Sequence, residues 1–223
     1  MVLYAGFVAV KITKKPKGSY HHPDLEQALV DAAIRTIGKR SVESLTLRDI
    51  GTQLGVSRTA IYRHFEDKSA LLARVALEGF RMFRLTLQAA LDEARERGVE
   101  PIEEMGVAYL GFAMANESHY KTMFGDVFEA HDCYPDLNEE GGAAFEVLLN
   151  TVKEEQQAGR IAATQDPLRL AHVLWAAVHG IALLGMSGRL TGTSGSGATL
   201  EELSRLHSQI VLTGLRTQRR RRS

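Results

Sequence analysis

The residues with the most chemistry to offer lie between Leu45 and Leu72, in the run LTLRDIGTQLGVSRTAIYRHFEDKSALL. Leu47, Ile50 and Leu54 mark the apolar face of one short helix, Gly55 permits a sharp turn, and Ser57 caps a second. Ile61 and Phe65 stand four apart, so on a helix both point inward and turn Arg58, Thr59, Tyr62 and Arg63 outward. Two short helices crossing at a Gly-containing turn, the second offering its N-terminal residues, form the arrangement that enters a DNA major groove.

A second set of residues invites other chemistry. His172, Trp175 and His179 lie three and four apart on one helical face, and His119, Asp126 and His131 are further candidate metal ligands. None has the tight spacing of a zinc motif and no cysteine cluster supports them, so no metal site is expected. There is no activated nucleophile with a base beside it and no phosphate-cradling glycine loop. The chain is therefore not expected to be an enzyme: no catalytic residues and no cofactor are assigned.

The elements that must position these residues are helices. No sustained alternating pattern or two-residue hairpin signal marks a strand, whereas apolar residues recur three and four apart. Leu25, Leu29, Ala32, Ala33 and Ile37 make one stripe, and Leu72, Val75, Gly79, Phe83, Leu87 and Ala90 a longer one. Thr46 with Asp49 and Thr199 with Glu202 have capping-box spacing. Asp166 followed by Pro167, and Pro101 followed by Glu103 and Glu104, read as helix starts. The expectation is an all-α fold of about nine helices, near 24–40, 47–54, 58–64, 68–96, 101–117, 119–129, 135–158, 167–187 and 199–217. The Gly/Ser/Thr-rich stretch from Thr191 to Ala198 is a loop.

At this point the segment from 24 to 72 resembles the DNA-binding domain of the TetR family of bacterial repressors. The residues that carry the resemblance are the Thr46-Leu-Arg-x-Ile50 start, Leu54-Gly-Val-Ser57 at the turn, Ile61-Tyr-Arg-His-Phe65, and Asp67-Lys-x-x-Leu-Leu72 opening a long fourth helix. The resemblance implies a three-helix helix-turn-helix head on a helical body that binds a ligand and dimerises. It also implies roles. Arg58 and Thr59 begin the recognition helix, where an arginine pairs bidentately with guanine for about 1–3 kcal/mol of discrimination. Arg48 matches a position that also reaches a base, and Ala60 lies in the same reading face. Tyr62, His64, Lys68, Thr46 and Ser57 match phosphate-contacting positions, which set register and salt-dependent affinity. Packing for Tyr62 and a backbone bond for His64 are the plainer alternatives.

Beyond the fourth helix one local likeness remains: Trp175-Ala-Ala-Val-His179-Gly180 resembles the Trp…His-Gly signature of one TetR subgroup. The expected pocket residues are Phe83, Tyr109, Phe112, Phe128, Trp175 and His179, apolar walls with a few polar tips that suit a hydrophobic or aromatic small molecule. Phe80, Met105, Met114, Met123, Phe124 and Leu148 are further candidates. The 167–187 helix is apolar nearly all round, and burial from both sides by its own body and a second subunit is expected rather than a membrane. Leu200, Leu203, Leu206, Ile210 and Leu215 form a stripe on the last helix, so two helices per subunit should meet in a four-helix bundle across a two-fold axis.

Composition agrees with this division of labour. The 223 residues carry no net charge, but Met1 to Lys68 holds eleven Lys/Arg and seven Asp/Glu, while Ser69 to Leu215 holds eleven against twenty. A basic first third on an acidic remainder suits a phosphate-facing head on a body that faces elsewhere. The expected division is an arm at 1–19, a head at 20–67, a body at 68–218 and a basic tail at 219–223. The arm's lysines (Lys11, Lys14, Lys15 and Lys17) are read as solvated, with DNA backbone contact as the second possibility. The lone Cys133 fits a reducing, cytoplasmic location. The reading is a homodimeric repressor that holds a pseudo-palindromic double-stranded operator and leaves it when a small molecule fills the body. Its alternatives are an effector-independent DNA-binding dimer, or an activator, whose body binds a protein partner.

Overall fold

The computed structural model describes residues 25–125, 134–190 and 198–220, and of 215–220 only the backbone. The described residues form nine helices and no strand: α1 (Leu25–Ile37), α2 (Leu47–Leu54), α3 (Arg58–Tyr62), α4 (Lys68–Arg97), α5 (Pro101–Ala115), α6 (Glu117–Phe124), α7 (Pro135–Gln157), α8 (Pro167–Met186) and α9 (Leu200–Arg220). The arm, Asp126, Phe128, His131, Cys133 and the last three residues lie outside the described part, as does the side chain of Leu215. Arg219 and Arg220, expected in the tail, continue α9.

Local chemistry sets most boundaries. Thr46, Ser57 and Asp67 cap α2, α3 and α4 by accepting from the backbone N–H three residues on, each relieving one unpaired donor of a first turn. Thr199 and Glu202 make the reciprocal box: the Thr199 N–H donates to the Glu202 carboxylate at 2.7 Å, and the Glu202 N–H to the Thr199 hydroxyl at 3.1 Å. Asp166 accepts from the Leu168 N–H ahead of Pro167.

One core runs from head to body. Leu29, Ala32, Ala33 and Ile37 of α1 pack with Ile50, Ile61 and Phe65, then with Leu72, Val75 and Phe83 of α4, and on to Tyr109 and Val178. A smaller core gathers Ile102, Leu149, Val152, Ile161, Leu170, Leu174 and Leu212 at the far end. The α4 stripe holds through Leu87 and then moves to Leu91 and Ala94, because a straight helix of 3.6 residues per turn drifts against a fixed spacing; Ala90 is only half-buried. Arg205 of α9 reaches Glu103 at 3.0 Å and Glu104 at 2.6 Å on α5, which sets the register of those two helices.

The last two helices do not bury the faces that their patterns suggest. On α9 the buried residues are Ser204, Ser208 and Leu212, while Leu206 is 53% and Ile210 64% exposed. On α8, Leu170, Ala171, Leu174, Val178 and Ala182 are buried, whereas Leu168, Val173, Leu183 and Leu184 are exposed. α8 is long and apolar enough to cross a membrane, and only 28% of that stretch is buried in the chain. The expected burial of α8 on both sides is thus met on one side by this chain alone.

Candidate nucleic-acid interface and body cavity

The head presents its polar residues because its apolar ones are spent on α1. Gly55 closes α2 with φ 67°, the left-handed conformation a side chain disfavours. Gly51 permits the crossing itself, since a Cβ there would stand 2.4 Å from Cδ1 of Ile61. With Ile61 and Phe65 buried, Arg48, Arg58, Thr59, Tyr62, Arg63 and His64 are exposed on the outer side and Ala60 is half-buried. The Arg58 guanidinium lies 5.3 Å from the Tyr62 ring centroid, which steadies it across the helix face.

Three expected phosphate contacts have structural duties as well. The Thr46 and Ser57 hydroxyl oxygens accept from Asp49 N–H and Ala60 N–H, which leaves each O–H to donate outward. Lys68 Nζ donates to the Glu43 carbonyl at 2.8 Å, tying the start of α4 to the turn before α2. Its ammonium retains two further hydrogens.

The body holds a cavity of about 320 Å³ between the two cores. Phe80, Phe83 and Leu87 of α4 form one wall, and Ile102, Met105, Gly106 and Tyr109 of α5 another. Phe124 of α6, the α7 row Gly141, Ala144, Phe145 and Leu148, and His172, Leu174, Trp175 and Val178 of α8 extend it, and His207 and Ser208 of α9 complete it. Of the residues expected in the pocket, Phe83, Tyr109 and Trp175 line this cavity. Phe112 sits behind the wall, buried, with its ring 5.1 Å from that of Phe83. Phe128 lies outside the described residues. Among the further candidates, Phe80, Met105, Phe124 and Leu148 face the cavity.

His179 backs the wall rather than forming it. Its Nδ1 stands 2.8 Å from the Tyr109 hydroxyl and 2.7 Å from that of Tyr120, and the two hydroxyls are 2.9 Å apart. Burial pushes the Tyr109 phenol up to about 12 and raises that of Tyr120 further, while it lowers the pKa of His179. All three groups are therefore uncharged at neutral pH, and Nδ1 accepts from the phenols in one imidazole tautomer and donates to them in the other. His172, on the same α8 face as Trp175 and His179 by spacing, stacks on Phe145 with ring centroids 4.9 Å apart.

Sequence reasoning missed Phe145, Gly106, Gly141, His207 and Ser208, which line the cavity. The i, i+3, i+4, i+7 row Gly141–Ala144–Phe145–Leu148 was a usable signal, because it places small residues opposite Phe80 and leaves space. It also missed Tyr120, whose side chain is fully buried against His179.

Head and body meet through α1, α4 and α6. Gln27 donates to Glu78 at 3.2 Å, Arg74 lies 3.4 Å from Glu26, and His119 Nε2 stands 3.8 Å from Glu78. His119, and then Gln27, hold the Glu78 carboxyl below the usual carboxylate range.

Comparison with known proteins accounts for this plan. Residues 29–75 match the bacterial regulatory proteins of the tetR family, and residues 102–206 match the tetracyclin repressor-like C-terminal domain. The head is similar to the HTH-type transcriptional regulator BetI of Agrobacterium fabrum, 38% identical over 72 residues, 32% of this chain and 35% of that protein. The chain spans only about a quarter to a third of the curated relatives it matches. Across nearly its whole length it is similar to a solved protein of unknown function from Rhodococcus sp. RHA1, with TM-score 0.74, 32% identity, and coverage of 88% of this chain and 97% of that one. The fold is shared with the transcriptional regulator FadR of Bacillus subtilis, solved with stearoyl-CoA, at TM-score 0.67 and 16% identity over 84% of this chain and 98% of that one. With a helix-turn-helix head and a regulator-type body both matched, the chain belongs to the TetR family of DNA-binding transcriptional regulators.

Proposed function

We propose that this regulator is a homodimeric repressor that holds a pseudo-palindromic operator and releases it when a hydrophobic or aromatic small molecule fills the body cavity. The observation that carries the reading is α4. This single 30-residue helix begins beside the recognition helix, where Lys68 is tied to Glu43, and supplies Phe80, Phe83 and Leu87 to the cavity. A ligand that prefers one tilt of α4 shifts the spacing of two recognition helices by no more than its differential affinity for the two states.

In this reading Arg58 and Thr59 read base edges, with Ala60 close to them and Arg48 beside them. Thr46, Ser57, Tyr62, His64 and Lys68 grip phosphates. Head and body divide near residues 67 and 68, and the protein works in the cytoplasm. The exposed apolar faces of α8 and α9 meet their copies across a two-fold axis, which places the heads on two half-sites about a helical turn apart. The wall of the cavity carries no lysine or arginine among the described residues, which disfavours the phosphates of an acyl-CoA such as the one bound to FadR. The Trp175 to Gly180 signature is retained as the mark of a subgroup.

The test is a titration of labelled DNA from upstream of the protein's own gene, at several salt concentrations, beside the Arg58→Ala/Tyr62→Ala double variant. Preference over scrambled DNA that the double variant loses supports the reading, and release by a cavity ligand completes it. Equal binding of both DNAs by both proteins overturns it. Ligand binding with no loss of operator affinity would instead favour the effector-independent dimer.

A further inference from the structure

The body cavity is specific about what it leaves out. Its rings come from Phe80, Phe83, Tyr109, Phe124, Phe145 and Trp175, and no Asp, Glu, Lys or Arg joins them among the described residues. An ion moved into such a wall loses its hydration and meets no counter-charge, so the cavity discriminates against both carboxylates and ammonium groups. Polar reach is confined to a few side chains. The Tyr109 hydroxyl is already engaged with Tyr120 and His179 and the Trp175 side chain hydrogen-bonds to Tyr109, which leaves His172 of α8 and His207 and Ser208 of α9 to face a ligand's polar atom. His172 is exposed and so marks the side open to solvent. Burial lowers the pKa of His207, so its imidazole is neutral at pH 7 and offers one donor and one acceptor.

Size narrows the class further. A dry apolar cavity of about 150 Å³ accepts benzene. This one, near 320 Å³, has about twice that space and is walled by aromatic faces and edges.

We infer that the effector is an uncharged two-ring aromatic molecule carrying a hydrogen-bonding oxygen, its rings among Phe83, Phe145 and Trp175 and its oxygen toward His172, His207 and Ser208. The inference rests on the cavity being the effector site, and it goes beyond that reading by naming the charge, the size and the end at which the ligand is held.

The experiment uses the full-length protein and three probes: 2-naphthol, 2-naphthoate and dodecanoate, titrated by calorimetry at pH 7.5. The expected result is saturable binding of 2-naphthol, with both anions at least tenfold weaker. His207→Phe and Ser208→Ala should each weaken 2-naphthol by about threefold to tenfold, the range of one lost hydrogen bond, while their thermal midpoints stay within a few degrees of wild type. Equal binding of either anion, binding of none of the three, or undiminished affinity in both variants overturns the inference. Operator binding is measured separately on the same samples. If 2-naphthol binds as expected while the operator stays bound, the ligand class stands and the release reading fails.

Discussion

Tyr109, Tyr120 and His179 form a closed triangle whose three sides are 2.9, 2.8 and 2.7 Å, yet only two phenolic hydrogens serve it. With Nδ1 in its acceptor tautomer, one hydroxyl donates to it and the other to its fellow hydroxyl, or both share it. Removing one hydroxyl leaves the imidazole satisfied, because the remaining tyrosine still reaches Nδ1. Tyr120→Phe and Tyr109→Phe should therefore each cost about 1 kcal/mol, the net worth of one hydrogen bond. The double substitution differs in kind: Nδ1 then has no phenolic donor, and an unsatisfied buried acceptor costs a further ~1–3 kcal/mol. The double variant should lose about 3–5 kcal/mol, more than the two singles combined. For a chain of this length each kcal/mol is worth roughly 2–4 °C, so the singles should melt about 3 °C lower and the double about 10 °C lower. Urea and thermal denaturation at one fixed protein concentration measure this, since the midpoint of a dimer, as proposed above, depends on concentration. If the double variant loses only the sum of the singles, or if Tyr120→Phe is as stable as wild type, the triangle does not hold the wall in the way described.

Three other outcomes follow from the same geometry. Burial lowers the pKa of both His179 and His207, so as pH falls below about 6.5 the unfolded chain takes up protons first. Stability is full above that pH and declines below it; melting between pH 7.5 and 5 should show the decline, and a His179→Gln/His207→Gln variant should flatten it. Gly51→Val pushes a side chain into Ile61, whose Cδ1 lies 2.4 Å from the Cβ position, and overpacking of this kind costs about 1–3 kcal/mol; urea unfolding of the variant at wild-type stability would show that the two helices have slack. Leu206→Glu with Ile210→Glu places two charges on the exposed face of α9. Sedimentation should then find a monomer, and an unchanged dimer would move the interface elsewhere.

How much of this was legible from the chain varies by element. The head was read closely because its signals are local: Thr46, Gly55, Ser57 and Asp67 act on backbone groups within three or four residues, and the apolar spacing of Ile61 and Phe65 decides which face is turned out. The cavity was read only in part. Tyr109 and Trp175 follow from the family resemblance, but whether a residue lines a void or backs it depends on how helices distant in sequence are offset. Phe112 and His179 fell behind the wall for that reason, while His207 and Ser208 reached it because Arg205 sets α9 on Glu103 and Glu104.

The amino-acid order thus determined the helices, their caps and the polar face of α3, all consequences of forces that act within a turn or two. Only the tertiary structure decided that Ser204 and Ser208, not Leu206 and Ile210, face inward on α9. Periodicity shows that a helix has an apolar stripe but not which surface covers it. Gly106 lets α9 approach α5 so closely that a Cβ there would meet the Ser204 hydroxyl at 2.7 Å, and small polar residues fit that contact where leucine does not.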